Sequence, residues 1–204
     1  MLLILLWTAA ARAQALNSSA AVSRGGSFPA ESLQNGTWEL GVFGGGGTGV
    51  GYASDTRFGY AGARIGRILT RDHFSGWRRG NFEWAVDLMP VYTVFTSAGP
   101  VFGGSLKPAI WKWNFTSGKY LAPYAAIGGG IVFSTSNLPP GDTSWVNFSP
   151  QAALGTHIFS KAGRAFFMEG SYVHHSNAGL SKFNPGYNAS LFFTVGYGWF
   201  KGRE

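Results

Sequence analysis

The sequence predicts an all-β protein, an eight-stranded antiparallel transmembrane β-barrel, and three observations carry this prediction. Charged residues make up 12% of the 204 residues, whereas aromatic residues reach 16% and glycine contributes 31 residues. A soluble domain usually carries about 25% charged residues. After the N-terminus, no apolar run approaches the roughly 20 residues that a membrane helix needs. Apolar and polar residues instead alternate along many segments, which is typical of membrane strands.

The N-terminus predicts export. A short apolar run, Leu2-Leu-Ile-Leu-Leu-Trp7, precedes two small-x-small cleavage patterns, Ala11-Arg-Ala13 and Ala13-Gln-Ala15. We therefore predict a signal peptide at residues 1–15, an N-terminal extension at 16–36 and the outer-membrane β-barrel domain at 37–204. The chain has no cysteine, which excludes a disulfide scaffold and thiolate metal sites. Nucleic acid is not an expected partner, because the basic residues behind the net charge of +7 are scattered.

Eight alternating segments, separated by turn-forming residues, are predicted to be strands. In the third segment Phe82, Trp84 and Leu88 share one face, and Glu83 and Asp87 share the other. Apolar faces outside and polar or small faces inside favour a membrane barrel over a lipocalin-like soluble barrel, which needs the reverse. The predicted strands lie near 37–44, 58–69, 81–96, 104–115, 121–134, 145–159, 164–176 and 188–200.

The strand order also predicts how the barrel sits in its membrane. If both termini lie in the periplasm, four tryptophans fall near the periplasmic interface, where an aromatic girdle is expected. The connection around residues 70–80 is longer than a periplasmic turn, and the strand pattern does not explain it. A polar network is expected to fill the interior. The girdle residues are Trp38, Trp84, Trp113 and Trp199, and the network residues are Glu83, Asp87, Lys112, Gln151 and Glu169.

The segment Tyr172-Val-His-His-Ser-Asn-Ala-Gly-Leu180 stands at the end of the seventh predicted strand. The period of two in a strand places His174 and Ser176 on one face, which is the outer, lipid-facing side, and His175 inside. Polar side chains facing lipid are costly unless they serve a function. A general base next to a hydroxyl nucleophile is the minimum set of catalytic groups for acyl transfer. The sequence thus predicts a hydrolytic pair in the outer leaflet.

The run from His174 to Leu180, followed by Asn184 and Gly186, resembles the lipid A 3-O-deacylases (PagL-type). These are small eight-stranded outer-membrane barrels with a serine hydrolase site on the outside of the barrel. The resemblance implies that Ser176 is the nucleophile and that His174 is the general base. It also implies that Asn177 and the backbone of Gly179 are the oxyanion and substrate-binding groups.

The family's third catalytic residue is a glutamate twelve residues after the serine, and this chain has Asn188 at that position. Asparagine can accept the imidazole N–H and fix its tautomer, as in proteases with a Cys-His-Asn site. It supplies no negative charge to stabilise the imidazolium. Strict alternation places Asn188 on the lumen side of the eighth strand, unless a bulge or the loop turns its side chain outward. The resemblance thus implies Asn188 as the third catalytic residue, provided that a bulge or the loop turns its side chain outward.

The predicted function is that of an outer-membrane serine hydrolase, which removes an ester-linked (3-hydroxy)acyl chain from lipid A of lipopolysaccharide. No cofactor and no metal are expected. Two alternatives stay open: a non-enzymatic structural barrel that retains a degenerate motif, and another lipid esterase or acyltransferase on the same scaffold. The expected partners are lipid A in the outer leaflet and other outer-membrane lipids, and a homodimer is also left open.

Overall fold

The computed structural model describes residues 26–202, without the side chain of Asn188. The predicted signal peptide lies outside this part of the chain. One short helix, α1 (Phe28–Ser32), precedes the strands, and two 3-10 turns cover Gly51–Ala53 and Gly76–Arg78. Within residues 26–202, no helix is both long and apolar enough to cross a membrane. The strands are β1 (Trp38–Gly49), β2 (Arg57–Ile68), β3 (Gly80–Thr96), β4 (Gly99–Phe115), β5 (Leu121–Leu138), β6 (Ser144–Phe148), β7 (Gln151–Lys161), β8 (Arg164–His175) and β9 (Tyr187–Lys201).

These strands close into the predicted eight-stranded antiparallel barrel, because β6 and β7 are two halves of one barrel strand. The sheet runs β4-β3-β2-β1-β9-β8-β7-β5, and β4 pairs with β5 to close it. The pairs Phe148–Ser176 and Gln151–Val173 keep one register across the break between β6 and β7. Sequence alternation predicted one strand over 145–159. The strand is interrupted at Pro150, which has no N–H for the ladder.

The barrel wall has a buried inner face and an exposed, apolar outer face. In β8 the inward residues are buried, and the residues between them are largely exposed. On the outer face Ile127 is 65% exposed and Leu154 is 72% exposed. A closed wall of this kind leaves no unpaired strand edge and offers lipid an apolar surface. The tryptophans expected in the girdle, Trp38, Trp84, Trp113 and Trp199, lie at the end of the barrel that carries both chain termini, called the terminal end below.

Charged residues in the middle of the interior form two ion-pair groups. Arg64 donates to both carboxylate oxygens of Asp87, at 2.7 and 2.9 Å, and to Glu169 at 3.3 Å. Lys112 donates to Glu39 at 2.8 Å and to Glu83 at 3.0 Å. The predicted interior position of the polar residues Glu83, Asp87, Lys112, Gln151 and Glu169 is confirmed, since all five are buried, and Gln151 accepts a hydrogen bond from Lys107 rather than from either ion-pair group. Arg64 and Glu39 belong to the interior polar residues as well.

Apolar clusters fill the barrel on either side of these ion pairs. Toward the terminal end, Leu33 packs with Ile68, Phe159 and Phe200. Leu33 directly follows α1, whose N-cap Ser27 accepts a hydrogen bond from the Ala30 N–H at 3.3 Å. The described part of the N-terminal segment therefore closes the terminal end. Toward the opposite end, called the site end below, aromatic side chains fill the interior: Phe43, Phe58, Tyr60, Tyr92, Phe167, Tyr187 and Phe192.

Candidate active site

His174 and Ser176 lie on the outside of the barrel where β8 ends, at the site end, as alternation predicted. Both residues are partly buried, and Tyr172, two residues earlier on the same face, is 49% exposed. His175 points inside and is 4% exposed. Its Nε2 atom is hydrogen-bonded to the Tyr92 hydroxyl at 2.8 Å, and its ring stacks on Phe58 at 5.4 Å. The inward histidine is thus held by the aromatic interior, while its two neighbours face the lipid.

On one side, His174 borders the break between β6 and β7. The His174 N–H donates to the carbonyl oxygen of Pro150 at 3.0 Å, and a proline has no N–H to return to the ladder. Next to Pro150, on β5, a Cβ atom on Gly129 would lie 2.9 Å from the Pro150 Cα atom. Glycine at this position lets the proline approach the sheet. The strand on this side of His174 is therefore interrupted and does not form a continuous ladder of backbone hydrogen bonds.

On its other side, His174 borders a β-bulge. Val173 pairs with Ser190 and His175 pairs with Tyr187, so the single residue His174 faces two residues of β9, Asn188 and Ala189. Tyr187 and Ser190 are both buried inside although they are three residues apart. The strict alternation that placed Asn188 in the lumen is therefore interrupted at this position by a bulge, which is one of the two alternatives that the sequence left open. Bulges occur often beside active sites. The side chain of Asn188 lies outside the described part of the chain, and the catalytic role of Asn188 stays a prediction.

The loop between β8 and β9 is organised by Asn177, which is 1% exposed. Its Oδ1 atom accepts the Gly179 N–H at 2.9 Å, and its Nδ2 atom donates to the Phe183 carbonyl at 2.8 Å. Its own N–H donates to Asn184 Oδ1 at 2.9 Å. Ala178 and Gly179 both have positive φ, 51° and 84°, as a type I′ turn requires. Both predicted oxyanion donors are thus engaged within this loop, and their catalytic role also stays a prediction.

The end of this loop returns against the candidate nucleophile. Gly186 has a φ of 57°, and a Cβ atom placed on it would lie 2.4 Å from the His175 carbonyl oxygen and 3.4 Å from the Ser176 Cβ atom. The hydroxyl of Tyr52, from the first loop of the site end, lies 2.8 Å from the carbonyl oxygens of Pro185 and Gly186. Tyr52 was not predicted, because nothing in a distant loop signals this contact. Two loops together thus fix the backbone beside Ser176.

An apolar hollow lies on the outer wall close to the pair. Small residues, Ala152 and Gly170, form part of it, and a Cβ atom added to Gly170 would meet no atom within 4 Å. Larger apolar side chains flank these small residues. Tyr172 belongs to the hollow and stands two residues before His174 on the same face of β8. The flanking side chains are Ile127, Leu154, Tyr172 and Leu191.

One group of potential metal ligands lies inside the barrel. Single ligand atoms of Glu39, Glu83 and His157 lie within 4.8 Å of one another. The Lys112 ammonium lies between them, at 2.8, 3.0 and 3.3 Å from these three side chains. A cation of the protein itself therefore neutralises this cluster. This cluster was not predicted, because its three ligands come from three different strands.

The fold described above defines a bacterial outer-membrane β-barrel protein, with its candidate site on the lipid-facing wall. The family model of lipid A 3-O-deacylase (PagL) matches residues 59–198, which is more than half of the chain. The chain therefore belongs to this family of carboxylic ester hydrolases, and the resemblance seen in the sequence is confirmed.

Solved structures of outer-membrane barrels are similar to the chain in fold. The N-terminal β-barrel domain of Pseudomonas aeruginosa OprF has 15% identity and a TM-score of 0.53, over 82% of this chain and 98% of that one. The outer membrane enzyme PagL has 16% identity and a TM-score of 0.47, over 79% and 98% of the two chains. OprG from Pseudomonas aeruginosa has 10% identity and a TM-score of 0.47, over 85% and 99%. No curated protein sequence matches this chain.

Proposed function

We propose that this protein is a lipid A 3-O-deacylase in which Ser176 is the nucleophile and His174 is the general base. Membership of the family supports the deacylase activity. The observation that carries the residue assignment is the shared outward position of His174 and Ser176 at the end of β8, between a strand break and a bulge. Two polar side chains that face lipid cost free energy, and polar residues at such positions are usually functional.

The reaction follows the two steps of a serine esterase. His174 takes the proton of the Ser176 hydroxyl while the Oγ atom attacks the carbonyl carbon of the ester at the 3 position. The ester C–O bond breaks, and the sugar oxygen leaves with the proton that His174 returns. His174 then takes a proton from water, which attacks the acyl-enzyme and releases a 3-hydroxy fatty acid. The proton returns to Ser176, and the enzyme is restored.

The apolar hollow next to the pair supplies the place for the acyl chain that is removed. An acyl chain there would lie over Ala152 and Gly170 with its ester end toward His174, because Tyr172 joins the hollow to the site. Lys182, an exposed residue of the loop between β8 and β9, is the proposed contact for a lipid A phosphate. Both contacts orient the sugar so that the 3-linked ester reaches Ser176.

Three further residues complete the proposed site. Asn188 accepts the imidazole N–H of His174 and fixes its tautomer, which the bulge opposite His174 supports. Asn177 and the Gly179 N–H stabilise the oxyanion. Both groups now donate within their loop, so this role requires those hydrogen bonds to exchange when substrate binds. Substrate binding and loop rearrangement are therefore coupled in this proposal.

The function is tested by expressing the full chain in a Gram-negative host that lacks a lipid A deacylase and weighing the lipid A by mass spectrometry. We expect lipid A to lose one 3-hydroxyacyl group, and we expect Ser176→Ala to abolish this loss. The matched control is Ser160→Ala, since Ser160 is an exposed serine near the terminal end. Unchanged lipid A in cells that contain correctly folded, unsubstituted protein would overturn the proposal and favour the structural barrel.

Replacing Asn188 by glutamate is expected to speed deacylation about tenfold. A hydrogen bond to a charged group is worth about 1–1.5 kcal/mol more than a neutral one, and this difference corresponds to about one order of magnitude in rate. Steady-state kinetics on purified lipid A in detergent micelles measures the change. Asn188→Gln is the control, because it lengthens the side chain without adding charge. Equal rates for the Glu and Gln variants would show that charge at this position does not limit the enzyme.

A further inference from the structure

The connection between β2 and β3, residues 69–79, is a structured loop at the terminal end of the barrel. Asp72 holds it in place: its carboxylate accepts hydrogen bonds from Asn81 at 2.9 Å and Thr116 at 2.7 Å. The same carboxylate pairs with Arg79 at 3.3 Å. His73 and Gly80 exchange two backbone hydrogen bonds, at 2.7 and 3.1 Å. This is the long connection that the strand pattern does not explain, and it has a fixed conformation.

This conformation displays two large aromatic side chains. Phe74 is 70% exposed and Trp77 is 77% exposed. Phe74 has a φ of 62°, a region that costs a bulky residue about 1–3 kcal/mol. Such strain persists when the surrounding structure or a function requires it. Burial of the Phe74 ring in the barrel core does not offset the strain, because the ring is exposed. The loop therefore holds aromatic surface out of the protein interior.

Phe74 continues the lipid-facing wall of the barrel. The ring of Phe74 lies 5.7 Å from that of Trp113, which lies 4.8 Å from that of Phe82. Trp113 and Phe82 are outward residues of β4 and β3 near their terminal ends. Aromatic residues concentrate where a membrane meets water. The loop thus extends the aromatic girdle beyond the ends of the strands.

The same loop is basic. It contains three arginines and one aspartate, Arg71, Arg78, Arg79 and Asp72, so that 3 − 1 leaves a net charge of +2. Asp72 pairs with Arg79, which leaves Arg71 and Arg78 as exposed cations on the surface. The Arg78 guanidinium lies 5.9 Å from the centre of the Phe74 ring. The exposed cations and aromatic residues of this loop are called the interfacial patch below: Arg71, Phe74, Trp77 and Arg78.

We propose that the interfacial patch binds anionic glycerophospholipids of the periplasmic leaflet. Phe74 and Trp77 lie at the boundary between headgroups and acyl chains, and Arg71 and Arg78 contact lipid phosphates. The patch lies at the opposite end of the barrel from His174 and Ser176, and the strand order that is expected to place both termini in the periplasm assigns it to the leaflet without lipopolysaccharide. Continuity with the lipid-facing wall favours lipid over a soluble protein partner. This proposal does not depend on the deacylase activity.

The test uses the full chain in phosphatidylcholine vesicles with increasing fractions of brominated phosphatidylglycerol, whose bromine atoms quench nearby tryptophan fluorescence. The signal of Trp77 is the difference between the unsubstituted protein and Trp77→Phe. We expect Trp77 to be quenched at low fractions of this lipid. Each of Arg71→Gln and Arg78→Gln should raise the half-quenching fraction about fivefold, which corresponds to about 1 kcal/mol per basic residue.

The matched control is Arg57→Gln, an exposed arginine at the opposite end of the barrel, which should leave the Trp77 signal unchanged. Electrophoretic mobility with and without heating checks that each variant is folded. Equal quenching of Trp77 by brominated phosphatidylcholine and brominated phosphatidylglycerol would overturn the recognition of anionic lipid. A Trp77 signal that neither lipid quenches would overturn membrane contact and point to a soluble partner.

Discussion

Replacing His174 by alanine is expected to slow lipid A deacylation by about four orders of magnitude or more. Without the imidazole, the Ser176 hydroxyl loses its proposed general base, which lies on the same outward face of β8. Residues that act as one catalytic unit have strongly non-additive effects. The double variant His174→Ala with Ser176→Ala should therefore be no slower than either single variant. Release of 3-hydroxy fatty acid from purified lipid A, followed with time, measures all three rates.

His73→Ala provides the control for loss of a histidine, because His73 is exposed and lies at the terminal end. It should retain the rate of the unsubstituted protein. Two results would contradict the assignment of the pair. One is a His174→Ala variant that keeps a tenth or more of the rate. The other is a double variant whose loss in log rate equals the sum of the two single losses, since independent residues behave in that way.

Much of the fold could be predicted because alternation is a local property of each strand. The side of the barrel that a residue faces depends only on its position relative to its neighbours in the chain. This is why His174 and Ser176 could be placed outside and His175 inside. It is also why the inner positions of Glu83, Lys112 and Glu169 were predicted correctly.

The surroundings of the pair could not be predicted, because they depend on pairing between strands that are distant in sequence. Pro150 stands beside His174 only when β7 pairs with β8. The bulge at Asn188 appears only when the register of β8 against β9 shifts by one residue. A bulge or the loop was expected to be needed for placing Asn188 near the pair, and the structure contains a bulge. Nothing in the sequence indicated the bond from Tyr52 to the end of the site loop.

The interior charges show the same limit in another form. Lys112, on β4, was predicted to face inward, but its partners Glu39 and Glu83 lie on β1 and β3. Alternation identifies the inward face of a strand and says nothing of which inward side chains pair with one another, whether on the neighbouring strand as for Glu83 or on a more distant one as for Glu39. Arg64 belongs to the second strand, where the arginines at 64 and 67 fall on opposite faces. In the structure Arg64 is buried, and Arg67 stacks on Trp38 at the outer wall, 4.8 Å from its ring.

Replacing Lys112 by methionine is expected to lower the free energy of unfolding by about 3–5 kcal/mol, because it removes one partner of a buried ion pair. Lys112 is 0% exposed, as are Glu39 and Glu83. Without the ammonium, two carboxylates would face each other inside the barrel with no cation between them. The measurement is urea unfolding of the protein in lipid vesicles, followed by tryptophan fluorescence.

Two further variants separate the loss of charge compensation from the change of shape. Lys161→Met makes the same substitution at an exposed position and should change stability by less than about 0.5 kcal/mol. Adding Glu39→Gln and Glu83→Gln to Lys112→Met removes both uncompensated charges and should recover most of the lost stability. If the triple variant were as unstable as Lys112→Met alone, the cost would lie in packing. The buried lysine would then hold the barrel through its shape rather than its charge.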